Sequence, residues 1–324
     1  MLVGGSGTRG VVAAASYEAR AFGVRSAMPS TRARRLCPQC VFLKPRFDRY
    51  REVSSTIFSI FHDYTELVEG LSLDEAFLDL SGPVQSGQSL TAIGLEIKRA
   101  IAEKCGLTAS IGMAHNKLLA KIASDYDKPD GFVHIAKAEV SRYLDPLPVQ
   151  RLWGVGPSSA HKLNDAGIHT IGQLRLAGTD VIERLFGSSA RELQQRAAGV
   201  DERPIKPSRE RRSISQETTL ETDSQSLEDL EPLVRAQADK IATRLSERGL
   251  YARTVTIKVR SGGFATMTRS RTLAGFTRSG SRIGREALDM LDEWARWRAA
   301  FSVRLIGVGV SGLNEQPDVS ELLD

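Results

Sequence analysis

Asp74 and Glu75 are adjacent carboxylates inside the apolar segment Leu71–Leu80, LSLDEAFLDL. Charge placed between apolar arms needs compensation, and a divalent cation is the natural partner for clustered hard oxygen ligands. Tyr17 and Arg20 are three residues apart and so share one face of a short helix. A guanidinium beside a phenol suits an anionic ligand such as a triphosphate. Lys117 and Lys121 have i,i+4 spacing, and Lys128 follows in the turn Lys128–Pro129–Asp130–Gly131. A compact ammonium in such a turn can hold phosphate. Taken singly, each pattern also fits a plainer reading: an acidic turn, a surface arginine, solvated lysines. A fourth segment, Leu152–Pro157, runs through Gly154 and Gly156 into a helix with Lys162. Its form, GVGPSSAHKL, matches a helix–hairpin–helix, in which backbone N–H groups approach phosphate at a helix N-terminus.

Charge is unevenly distributed. The 324 residues carry 44 Lys plus Arg against 39 Asp plus Glu, a net charge of +5. Residues 1–45 hold seven basic residues and one acidic, whereas 46–145 hold eleven and fifteen. Between Tyr251 and Arg285 there are eight basic residues and no acidic one: Arg253, Lys258, Arg260, Arg269, Arg271, Arg278, Arg282 and Arg285. A one-sign, Arg-rich band suits contact with a phosphate backbone.

Other chemistries are poorly served. Cys37 and Cys40 form a C-x-x-C with no second ligand pair at zinc spacing, and Cys105 stands apart, so all three cysteines read as structural. The five histidines form no H-E-x-x-H, and neither a Walker A loop nor G-x-S-x-G occurs. No apolar run approaches the roughly 18 residues of a membrane span. The first residues lack signal-peptide blocks, and the cysteine usage suits a reducing, cytoplasmic setting.

The elements that must position these groups follow from periodicity. Helices are predicted over Tyr17–Phe22, Ser30–Leu36, Arg49–Tyr64, Ser89–Cys105 and Asn116–Ser124. Strands are predicted over Gly10–Ala15, Thr108–Gly112 and Phe132–Ile135, and Leu71–Leu80 reads as two strand arms meeting near Asp74–Glu75. Residues 46–145 thus form a mixed α/β layer of antiparallel character. Residues 146–204 are short helices with Gly-containing turns, and 205–211 is a Pro- and Arg-rich linker. Beyond it, Ser213–Thr219, Leu227–Glu247, Ala252–Arg260, Phe264–Thr272, Gly280–Arg298 and Ser302–Leu313 read β-α-β-β-α-β, an independent domain.

In their order, SYEARAFGVRSAMP, LSLDEAFLDL, AKIASDYDKPDG and WGVGPSSAHKL resemble the Y-family DNA polymerases, of the polymerase IV type, from about Val3 to about Leu313. The resemblance implies an α+β multidomain, right-hand polymerase: fingers at 1–45, palm at 46–145, a helical thumb containing the helix–hairpin–helix at 146–204, a little finger at 212–314 and a tail at 315–324. It implies an error-prone translesion enzyme without a proofreading exonuclease. Asp74 and Glu75 would bind two magnesium ions, with Glu75 beside the attacking 3′-hydroxyl. Tyr17, Arg20 and Lys128 would contact the incoming deoxynucleoside triphosphate. Gly154, Gly156, Lys162, Arg253, Lys258, Arg260, Arg269 and Arg271 would contact primer–template DNA. A monomer is implied.

Three departures stand out. The family segment holding the first palm strand, with a third metal-binding Asp and an aromatic steric gate, has no counterpart here. The chain is then either one whose start lies upstream or a truncated, catalytically impaired DNA-binding remnant. Ala14 stands where the family usually has Thr near the triphosphate. The tail Gln316–Asp324 lacks the aromatic of a typical sliding-clamp peptide, which leaves clamp binding weakened.

Overall fold

A computed structural model describes the chain except Arg209, Trp297, Ala299 and residues 316–324, so the tail that bears on clamp binding lies outside the described residues. The chain divides into two compact units. One joins residues 1–45 to the segment from 210 onward, and the other is 46–209.

The N-terminal segment runs β1 (Leu2–Gly4), β2 (Val12–Ala15), α1 (Tyr17–Ala21), α2 (Ser30–Leu36) and β3 (Phe42–Leu43). β1 is central, antiparallel to β2 and parallel to β3. Small residues let the helices close on this sheet, and Leu2, Val12, Ala15, Ala19, Val24, Ala33 and Cys37 form the core. Ser16 caps α1 by accepting the Ala19 N–H. Cys37, at the end of α2, is disulfide-bonded to Cys40 across a turn closed by the Cys40 N–H to Cys37 carbonyl bond. Spacing alone assigns no bridge here.

The second unit begins with α3 (Phe47–His62), β4 (Val68–Gly70), β5 (Ala76–Leu78), α4 (Ser81–Gln85) and α5 (Leu90–Cys105). Ile60 of α3 and Ile93, Ile97 and Ile101 of α5 recur at helical spacing and are buried together. β6 (Ile111–Met113), α6 (Lys117–Tyr126) and β7 (Phe132–His134) follow, with β6 and β7 parallel. Parallel neighbours need a crossover, and α6 supplies it. The layer is therefore antiparallel only at β4–β5, because only that pair is joined by a short turn. Next come α7 (Val140–Leu144), α8 (Pro157–Asp165), α9 (Ile171–Leu176), α10 (Thr179–Phe186) and α11 (Ala190–Ala197). Their core, with Leu144, Leu163, Ile171, Leu174 and Ile182, takes in Leu118, Leu119 and Ile122 of α6. One face of α6 is thereby committed to helical packing and another is left for its lysines.

The C-terminal segment is β8 (Ser213–Ser224), α12 (Leu227–Ser246), β9 (Tyr251–Ser261), β10 (Thr266–Thr277), α13 (Gly280–Arg296) and β11 (Val303–Asn314). The predicted β-α-β-β-α-β order is present, folded as an antiparallel sheet of order β10-β9-β11-β8. Val255, Ile257, Val259, Ile306, Val308 and Val310 pack against Val234, Ile241, Ile283 and Ala287 of α12 and α13.

Candidate functional site

Asp74 and Glu75 lie in the turn of the β4–β5 hairpin. Glu69 opposes Phe77 and Gly70 opposes Ala76, and the turn closes with the Leu71 N–H donating to the Glu75 carbonyl at 2.8 Å. The first arm is thus Val68–Gly70, not Leu71–Leu73 as the alternation predicts. Local hydrogen bonding overrides that alternation. The Ser72 hydroxyl donates to Asp74 Oδ1 at 2.6 Å and accepts the Asp74 N–H, which curls the chain and leaves Leu73 exposed.

The lysines of α6 secure this hairpin. Lys117 Nζ donates to Glu69 Oε2 at 2.8 Å and to the Pro204 carbonyl, and the Lys206 N–H donates to the same carboxylate oxygen. Lys121 Nζ donates to Glu75 Oε1 at 2.8 Å. Spacing alone reads these two as solvated. Instead, the Lys117 side chain is 8% exposed and that of Lys121 19%. The reason is tertiary: β4, through Glu69, and the turn that follows it, through Glu75, each present an acid to the same helix face. The approach of α6 to β6 depends on Gly112, where a Cβ would stand 2.1 Å from the Ala120 carbonyl oxygen.

Lys128 sits beyond the end of α6. Its turn is pinned by Lys98 of α5, whose ammonium donates to the carbonyl oxygens of Asp130 and Ala109 and to Asp130 Oδ1. Lys128 Nζ meets Asp125 Oδ1 at 2.5 Å. Lys98, Asp125, Glu69 and the buried position of Lys117 escape a reading of the sequence. Nothing in local spacing marks an ion pair between residues 48 positions apart.

The fit to a divalent cation can be judged on donor chemistry. Asp74 and Glu75 each engage one oxygen, and the second oxygen of each accepts no hydrogen bond among the described residues. Magnesium is typically held by one or two carboxylates completed by substrate phosphates, so this pair suits it.

The hairpin before α8 places Gly154 at φ +99°, a region that favours glycine, and a Cβ there would also strike Arg196 Nη1. Gly156 is the N-cap of α8, Pro157 is its first residue, and Lys162 is exposed. The Trp153 ring meets that of Phe77 of β5 at a tilt, with centroids 5.7 Å apart, and lies under the Arg203 guanidinium. In the other unit, the Arg20 guanidinium lies 5.1 Å from the centre of the Tyr17 ring, and its Nε donates to the Ala15 carbonyl. Tyr17 is 49% exposed.

The basic band does not form one surface. Strand alternation divides it. Lys258 and Arg260 share the open face of the sheet with Thr254, Thr256, Thr268, Ser270, Thr272 and Gly307. Arg269 and Arg271 pair with Ile257 and Val255 and so lie on the helix-covered face. Arg271 is held there by Glu286, Asp289 and Glu293 of α13. Arg253, next to the irregularity between Thr272 and Thr277, stacks on Phe276. Lys258 is paired with Glu217 across the open face.

Known proteins match along nearly the whole chain. The impB/mucB/samB family model matches residues 1–125, the IMS family HHH motif 137–168, and the impB/mucB/samB C-terminal domain 211–322. The DNA polymerase IV of Alkalilimnicola ehrlichii is 47% identical over 320 residues, covering 97% of this chain and 88% of that one. That of Halorhodospira halophila is 42% identical over 323 residues, covering 99% and 90%. Among solved structures, a Y-family DNA polymerase chimera of Dbh and Dpo4 superposes with a TM-score of 0.86 at 26% identity, covering 98% of this chain and 92% of that chain. An insertion ternary complex of Dbh DNA polymerase gives 0.64 at 25% identity, over 96% and 90%. With the carboxylate turn, the helix–hairpin–helix and the β-α-β-β-α-β domain all in family order, the chain belongs to the Y-family of DNA polymerases.

Proposed function

We propose that this chain is a template-directed, error-prone translesion DNA polymerase that joins a deoxynucleoside triphosphate to a primer 3′-hydroxyl and, like its family, lacks a proofreading exonuclease. The observation that carries the reading is the Asp74–Glu75 turn, held at the surface by Lys121 with one oxygen of each carboxylate uncommitted among the described residues. In this reading residues 1–45 are fingers, 46–145 palm, 146–204 thumb and 212–314 little finger, with Asp74 and Glu75 holding two magnesium ions. When bound, magnesium supplies charge neutralisation at the attacking and leaving oxygens of an in-line displacement.

The protein's own groups have separable tasks. Lys121 keeps the Glu75 carboxylate oriented, with Glu75 beside the primer hydroxyl. Lys128 presents an ammonium to the triphosphate, and Tyr17 and Arg20 offer it a phenol and a guanidinium. The N-terminus of α8 offers backbone N–H groups to a DNA phosphate. The open face of the C-terminal sheet, with its hydroxyls, Lys258 and Arg260, is suited to hydrogen bonding along a phosphate backbone.

Primer extension with magnesium tests this. Asp74→Ala and Glu75→Ala should each lower the rate by about 10³-fold or more, since several kcal/mol of charge stabilisation depends on them. Extension by both variants at the unmodified rate would sink the polymerase reading. A chain that binds primer–template without extending it would instead be a DNA-binding remnant.

A further inference from the structure

Asp125 occupies an odd place for an acid. It lies in the last turn of α6, where the helix dipole disfavours negative charge. Its carboxylate is nevertheless well partnered: Lys128 Nζ is 2.5 Å from Oδ1 and Lys121 Nζ is 3.7 Å from Oδ2. Lys121 in turn donates to Glu75 at 2.8 Å. Arg151 donates to the Asp125 carbonyl and adds a third cation to its surroundings. The result is an unbroken line of alternating charge, Glu75, Lys121, Asp125, Lys128, from the carboxylate turn to the turn lysine. Lys98 fixes the backbone of that turn through the Asp130 and Gly131 carbonyls. An unbraced lysine on such a turn would sample many rotamers.

We infer that Asp125 is a positioning residue: its carboxylate fixes the Lys128 ammonium for the triphosphate and, through Lys121, ties it to Glu75. Asp125 does not touch substrate. It acts by holding two cations at a set separation and screening their mutual repulsion. The inference rests on the polymerase reading and deepens it by naming the group that orders its triphosphate contact.

The test is equilibrium titration of a matched deoxynucleoside triphosphate, with magnesium, into the full chain bound to primer–template. The primer ends in a dideoxynucleotide, so no bond forms and affinity is read directly. Lys128→Ala should weaken binding about tenfold, the effect of removing one charge-assisted hydrogen bond. Asp125→Asn should weaken it about fivefold or more, the double variant should be no worse than Lys128→Ala, and Asp125→Glu should regain most of the affinity. A melting curve accompanies each variant, and Asp125→Ser is measured beside Asp125→Asn as a second variant without the carboxylate. If Lys128→Ala weakens binding while both Asp125→Asn and Asp125→Ser leave it unchanged or tighter, the positioning role is wrong and the triphosphate role of Lys128 stands. If Lys128→Ala itself changes nothing, the triphosphate role fails and the inference falls with it.

Discussion

At the scale of single residues, a buried ion pair holds the β4–β5 hairpin. Lys117 and Glu69 have side chains 8% and 2% exposed, and Glu69 is further satisfied by the Lys206 N–H. Breaking a buried pair by removing one partner leaves an uncompensated charge. Lys117→Met should therefore destabilise the chain by about 3–5 kcal/mol in urea unfolding. Replacing both partners, with Glu69→Leu added, should recover much of that stability, and a double variant as unstable as the single would refute the pairing argument. Asp201 makes a second anchor: it accepts the Leu118 N–H and is gripped by Arg203. Burial alone would raise its pKa, but the Arg203 hydrogen bonds and charge and the Leu118 N–H together bring it below the usual carboxylate value. A carboxyl lowered in the folded state stabilises above its unfolded pKa of about 3.9, and that stability is lost as pH falls through the folded value. Urea midpoints measured from pH 6 downward should fall less steeply below about pH 4.5 for Asp201→Asn than for the unmodified chain.

At the scale of elements, α6 is the part on which the candidate site depends. It gives Leu118, Leu119 and Ile122 to the helical core, Lys117 and Lys121 to the hairpin, and Asp125 to Lys128. Its seat is the bare backbone of Gly112. Gly112→Ala must push the helix away, at a cost of about 1–3 kcal/mol for overpacking, and it should lower triphosphate affinity as well as stability. A variant with reduced stability but unaltered affinity would separate α6 placement from the site. Much of this architecture is legible in the sequence. The helix expected at Ser30–Leu36 matches to the residue, and α5 and α12 match to within a residue, because apolar spacing and caps such as Ser89 and Ser226 act locally. The motif residues Asp74, Glu75 and Lys128 are legible because their order carries a family resemblance. What escapes is whatever depends on distant chain: β1 and β3, the burial of Lys117, the brace at Asp125. The first hairpin arm is misread for the opposite reason, since an Asp–Ser turn mimics strand alternation over three residues.

At the scale of the whole molecule, the small surplus of +5 is less informative than the side of the sheet on which each charge falls. Within the C-terminal segment, Lys258 and Arg260 look out from the open face while Arg271 is locked to three acids of α13. The arrangement separates two kinds of arginine or lysine removal that a linear reading would treat alike. Removing one phosphate-binding cation should reduce the slope of log affinity against log salt by about 0.9 on duplex DNA. The Glu217 pairing partly neutralises Lys258 in the free protein, so Lys258→Ala removes a cation but also frees a repelling carboxylate on the same face. Lys258→Ala with Arg260→Ala should therefore weaken primer–template binding and flatten its salt dependence by up to about two units. Arg271→Ala should leave the slope as it is and instead lower the melting temperature, because it uncovers Glu286, Asp289 and Glu293 as neighbouring like charges on one helix face. Fluorescence anisotropy across a salt series, with melting curves on the same samples, distinguishes the two. A flattened slope for Arg271→Ala, or an unchanged one for the Lys258 and Arg260 pair, would mean that DNA meets this sheet from the helical side.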